Sequence, residues 1–143
     1  MFDSSHQKAA NTPKPDWYRS LKARLPQLGL AAGAVLAVVL TYLFLAPVRP
    51  PSSMKGMGLD KVFHFLAFAA LVFPMIATGP RRWVWVVPAA IAYGGAIELI
   101  QPHFGRDADW YDFVADILGV ATGTLLGLAA ARWLKARKLA ALR

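Results

Sequence analysis

Residues 27 to 46, QLGLAAGAVLAVVLTYLFLA, run for 20 positions without a charge. That is the length an α-helix needs to cross about 30 Å of hydrocarbon at 1.5 Å per residue. Three more apolar runs follow. One extends from about Val62 to Thr78, holds His64, and meets Pro74 near its far end, where a proline loosens or kinks a helix. The next runs from about Trp83 to Gln101, with Pro88 near its start, Glu98 near its end and Pro102 closing it. The last runs from about Asp112 to Trp133. The pattern predicts four transmembrane helices with short connections. Trp17 and Tyr18 stand beside Arg19, Lys22 and Arg24, after Asp16 as an N-cap, and predict a short interfacial helix leading into the first span. A cleaved leader is the rival reading of residues 27 to 46. The polar lead of 26 residues, Phe44 three positions before a cut after Ala46, and Pro47 just beyond that cut all favour an uncleaved anchor.

Composition narrows the class. The chain has 143 residues and is 57% hydrophobic before its 11 glycines are counted, with 17% charged residues. Soluble domains sit near about 45–50% apolar, glycine included, and about 25% charged, so an ordinary soluble enzyme is excluded. The absence of cysteine excludes a disulfide scaffold, thiolate chemistry and Cys-ligated metal. One domain is expected, divided into a basic N-terminal arm with the interfacial helix (1–26), a four-helix transmembrane domain (27–133) and a basic tail (134–143).

The net charge of +8 takes on a different meaning beside these spans. With four crossings the two termini and the 79–82 loop share a side. Twelve of the 16 basic residues lie there, against Arg49, Lys55, Lys61 and Arg106 opposite. The positive-inside rule then places both termini in the cytoplasm. No recognised motif or aromatic platform for nucleic acid accompanies the basic tails. Trp83, Trp85, Trp110, Tyr111 and Trp133 fall at span ends, where aromatic rings favour the headgroup layer. The expected fold is an all-α, four-transmembrane-helix bundle whose first partner is the lipid bilayer.

The acids are biased the other way. Asp3 and Asp16 are inside, whereas Asp60, Glu98, Asp107, Asp109, Asp112 and Asp116 are at or near the outer face. His64 lies one turn inside the second span, Glu98 one turn before the end of the third and Asp116 one turn inside the fourth, so all three share a depth. Lys61 and His64 are spaced i, i+3, as are Glu98 and Gln101, while Asp112 and Asp116 are i, i+4, so each pair shares a helix face. An ionisable group at membrane depth costs about 2.5–3.5 kcal/mol on insertion scales unless paired or wetted, so these faces should turn toward one another. The expectation is an outward-facing polar pocket rimmed by His103, Arg106 and Asp109. His64, Glu98 and Asp116 are the candidate catalytic groups, and Lys61, Gln101, Arg106, Asp109 and Asp112 the candidate ligand-binding ones. N-capping accounts for Asp60 and Asp112 without function. Gly119, Gly123 and Gly127 form a small-residue ridge for helix packing, within the chain or between two copies.

These residues resemble the VanZ-like family of small bacterial membrane proteins. The resemblance rests on Asp60-Lys61, His64 and Phe68, then Glu98 and Gln101, then Arg106, Asp109, Asp112, Gly119 and Gly123, and it covers residues 59 to about 127. Many members have Asn where this chain has Asp116. The family takes its name from a protein associated with resistance to the glycopeptide teicoplanin, and the resemblance implies a role in the cell envelope. The leading expectation is binding or modification of an anionic lipid or envelope precursor, drawn by Lys61, Arg106 and two helix N-termini, with His64 or Glu98 moving a proton. No cofactor is assigned. His64, Glu98, Asp112 and Asp116 are suitable types for a divalent metal, but no HExxH-like spacing supports one. Proton or solute transfer is disfavoured because the inner half of the spans lacks an ionisable relay. The alternative from another class is a non-catalytic subunit of a larger membrane complex.

Overall fold

The computed structural model describes residues 15–46 and 58–140. The basic arm up to Lys14, the 47–57 loop with Arg49 and Lys55, and residues 141–143 lie outside the described residues, as do the side chains of Tyr18 and Lys22. Helix α1 spans Asp16–Leu45, α2 Leu59–Thr78, α3 Trp83–Ile100 and α4 Trp110–Ala140, with 3₁₀ turns at Pro80–Arg82 and Gln101–Phe104. No strand occurs among the described residues. All four helices are long and apolar enough to cross a membrane.

The helix ends differ from expectation for local reasons. The segment from Asp16 does not form a separate short helix: α1 is continuous through Pro26. The cap position belongs to Pro15, and Asp16 sits in the first turn, where a carboxylate meets the positive end of the helix dipole. Arg82 Nη1 donates to the Pro26 carbonyl, tying the proline turn of α1 to the loop between α2 and α3. α2 begins before Val62 because Gly58, at φ 64°, supplies a left-handed entry open mainly to glycine. Asp60 therefore lies in the first turn and makes no cap. α4 starts two residues before Asp112 and runs past Trp133 to Ala140.

α2 is the central helix, in contact with α1, α3 and α4, and its contact with α4 is the most extensive. Small residues allow that approach. A Cβ on Gly119 would collide with the Phe65 carbonyl and one on Gly123 with the Ala69 carbonyl, while at Gly127 it would meet Ile76 Cβ at 2.8 Å. The glycine ridge thus faces α2 within the same chain. Leu40 and Phe44 of α1, Phe68, Leu71, Val72 and Ile76 of α2, Val86, Ala90 and Ile97 of α3 and Val120 of α4 close the core. Only 22% to 33% of each span's most apolar window is buried inside the molecule, so most of its apolar surface faces outward. A water-exposed globule does not leave that much grease uncovered.

Candidate functional site

The start of α2, the end of α3 and the start of α4 meet at one end of the molecule, which is why residues far apart in sequence gather there. They form two layers. In the outer one, Lys61 Nζ lies 2.7 Å from Asp109 Oδ2, 3.1 Å from Asp112 Oδ1 and 3.3 Å from Asp60 Oδ2. Lys61 and Asp109 are about one-third exposed, whereas Asp112 is nearly buried. Asp109 also caps α4: its Oδ1 accepts the Tyr111 N–H at 2.9 Å and its carbonyl accepts the Asp112 N–H at 2.9 Å. The capping expected of Asp112 therefore falls to Asp109, three residues earlier, where the side chain can reach the free N–H groups. Asp112 turns inward instead.

The inner layer is buried. His64 is 2% exposed and Asp116 0%. His64 Nδ1 is hydrogen-bonded to Asp116 Oδ1 at 2.8 Å and faces Glu98 Oε1 at 3.9 Å, while Nε2 faces Asp112 Oδ2 at 3.9 Å. Glu98 Oε2 accepts the Asp109 N–H at 3.1 Å, which links the two layers. Glu98 Oε1 and Asp116 Oδ2 are buried without a hydrogen-bond partner. Gln101 is buried beside them and donates from Nε2 to the Phe44 carbonyl at 3.3 Å, and its Oε1 is also unpartnered. Of the expected rim, His103 is exposed and Arg106 half-buried. Arg106 enters no ion pair among the described residues, and Asp109 turns to Lys61 rather than to it.

Three contributors escaped the sequence reading. Phe44 of α1 stacks on the His64 ring with centroids 4.2 Å apart and planes 23° apart, which holds the imidazole in place. Gly94 of α3 leaves room for the Asp116 carboxylate, since a Cβ there would lie 2.8 Å from Oδ2. Tyr93 fastens α3 to α1 through Thr41 Oγ1 at 2.9 Å and the Ala37 carbonyl at 2.8 Å. The i, i+4 spacing of Gly94 and Glu98 was a readable signal. The Phe44 stack was not, because it depends on how α1 is rotated against α2.

The donor geometry allows two kinds of chemistry. A His–carboxylate pair can relay a proton. Two groups also have donor atoms within 4.8 Å of one another, as a metal ion needs: His64, Glu98 and Asp116 in the inner layer, and Asp60, Asp109 and Asp112 in the outer. In the outer group the Lys61 ammonium already provides the cation. Two apolar grooves occur elsewhere. One, of about 500 Å³, runs along Val38, Thr41 and Tyr42 to Phe104, and the other, of about 210 Å³, lies between α1, α2 and α3.

Outward-facing apolar helices closing over an ionisable core define a helical membrane protein. A family model described as VanZ/LLP1 matches residues 32–131, from within α1 through most of α4, and the chain belongs to that family. No curated protein and no solved structure was found to match it.

Proposed function

We propose that this VanZ-like protein spans the bacterial inner membrane with both termini in the cytoplasm, and that its polar end faces outward and binds or modifies an anionic component of the cell envelope. The observation that carries the reading is the convergence of His64, Glu98 and Asp116, from three helices, into one buried cluster with carboxylate oxygens unpartnered. Each such group costs free energy at membrane depth. The cost is repaid if the cluster acts on something. Lys61 is already surrounded by three aspartates, so attraction of the anion falls to Arg106 and to cations that accompany the acid-rich end. His64 and Glu98 are placed to move a proton, and Lys61 and Asp109 form the half-exposed face through which a headgroup reaches them.

Expressed in a glycopeptide-sensitive bacterium, the wild-type chain is expected to raise the inhibitory concentration of teicoplanin. Glu98→Gln, nearly isosteric, should abolish the increase at equal membrane level and equal melting temperature in detergent. A Glu98→Gln variant that protects as well as wild type would sink the reading. Loss of folded protein in both Glu98→Gln and His64→Ala would assign the cluster to structural cohesion.

A further inference from the structure

We propose that His64, Glu98 and Asp116 form a binding site for one divalent transition-metal ion of the zinc type. Three protein ligands would hold the ion, with a fourth position left to water or a ligand oxygen. This goes beyond the envelope reading above and does not rest on the ligand being anionic.

His64, Glu98 and Asp116, one from each of α2, α3 and α4, each offer one donor atom within 4.8 Å of the others. His64 Nδ1 lies 2.8 Å from Asp116 Oδ1 and 3.9 Å from Glu98 Oε1. Tetrahedral zinc with bonds of about 2.0–2.2 Å sets neighbouring donors about 3.4 Å apart. The two distances bracket that value, so shifts of about half an ångström along each of these edges would bring them to it. One imidazole with two carboxylates suits zinc or manganese better than the all-oxygen preference of calcium or magnesium.

A second observation is independent of the donor types. The Glu98 side chain is 9% exposed, and its Oε1 accepts no hydrogen bond while pointing at His64 Nδ1. Its other oxygen is pinned by the Asp109 N–H, which aims the free one inward. A buried carboxylate oxygen left without a partner is costly, and a cation at this point removes that cost. Around the whole cluster five carboxyl groups surround one ammonium and one imidazole, so acidic donors outnumber basic ones.

The surroundings are those of a supported ligand set. The ring nitrogen of His64 that does not face Glu98 lies 3.9 Å from Asp112 Oδ2, too far for a hydrogen bond as it stands but the nearest carboxylate to take the orienting place behind a metal-bound imidazole. Phe44 stacks on the same ring, and Gly94 gives Asp116 its space. Asp112, which the sequence offered as a fourth ligand, stands behind His64 instead. The outer acids form no second site, because Lys61 sits among them.

The test uses the full chain, free of any affinity tag, in detergent and stripped with EDTA. Zinc is then titrated in competition with a chromophoric chelator. Wild type should take up about one ion per chain. Glu98→Gln and Asp116→Asn should each bind at least tenfold more weakly, and Asp112→Asn about 10–100-fold more weakly, as expected of an orienting partner. Asp107→Asn should bind like wild type. Cobalt added to the wild-type protein keeps the test open should the variants misfold: intense visible bands of a four-coordinate ion are expected. A weak, water-like cobalt spectrum, no zinc uptake by wild type, or equal uptake by a folded Glu98→Gln variant would each overturn the site. Failure of the envelope reading would leave zinc uptake unchanged.

Discussion

A Cβ on Gly94 would lie 2.8 Å from Asp116 Oδ2 and 3.2 Å from the ring of Phe68, which is fully buried and has nowhere to go. Gly94→Ala should therefore push Asp116 off His64 and destabilise the protein by about 1–3 kcal/mol, read by chemical unfolding in mixed micelles. At the adjacent Gly95 a Cβ meets only the Phe113 ring at 3.5 Å, an ordinary contact. Gly95→Ala should be neutral or slightly stabilising, since alanine is favoured over glycine in a helix by about 1 kcal/mol. Equal losses in the two variants would refute the close approach. Asp109 allows a similar separation of effects. Asp109→Ala removes both the α4 cap and a Lys61 partner, whereas Asp109→Asn keeps a capping oxygen and loses only the charge. The pair is one-third exposed, so most of the loss, about 1 kcal/mol, should appear in the alanine variant alone. A loss of the same size in both would shift the role to the ion pair.

Among the elements, the α2–α4 contact governs the geometry of the site, because His64 and Asp116 lie on its two sides. Gly119 and Gly123 touch α2 backbone, which cannot retreat as a side chain can. Gly119→Leu or Gly123→Leu should cost more than about 2 kcal/mol and lower the detergent melting temperature, while Ala121→Leu, on the exposed side of α4, should leave it unchanged. A wild-type melting temperature in Gly123→Leu would mean that the two helices do not approach this closely. The same contact shows what a sequence discloses. The four apolar helices were readable because apolar runs of spanning length have few other uses, and His64, Glu98 and Asp116 stood out as ionisable groups at one depth within them. Helical spacing also placed Lys61 with His64 and Asp112 with Asp116. It could not give the rotation of one helix against the next. That rotation brings Phe44 onto the imidazole, sends Asp109 to Lys61 rather than to Arg106, and buries His64 and Asp116. Helix starts were misread where a neighbour does the capping: Asp109 for α4, and the left-handed Gly58 for the entry to α2.

For the molecule as a whole, function depends on which side of the membrane holds the polar end. α2 begins and α3 ends there, so the segment from 47 to 58 and the loop from 101 to 109 must share a side, with Ala140 and Arg82 opposite. If all four helices cross, as proposed, twelve basic residues fall on the Ala140 side against four on the other, and each Lys or Arg resists transfer across the bilayer. The acids divide the opposite way, two against six, but they weigh little in orientation. On the proposed reading, the gathering of five of them around Lys61 and His64 serves what the site binds. The chain contains no cysteine, so a single introduced thiol reports its side without background. Ser53→Cys should react with a membrane-impermeant maleimide on intact spheroplasts, and Ala140→Cys only after the membrane is opened. The reverse pattern would put the His64 cluster in the cytoplasm and end the envelope reading. It would leave the metal site intact, since that depends on three side chains and the distances between them and not on the side they face.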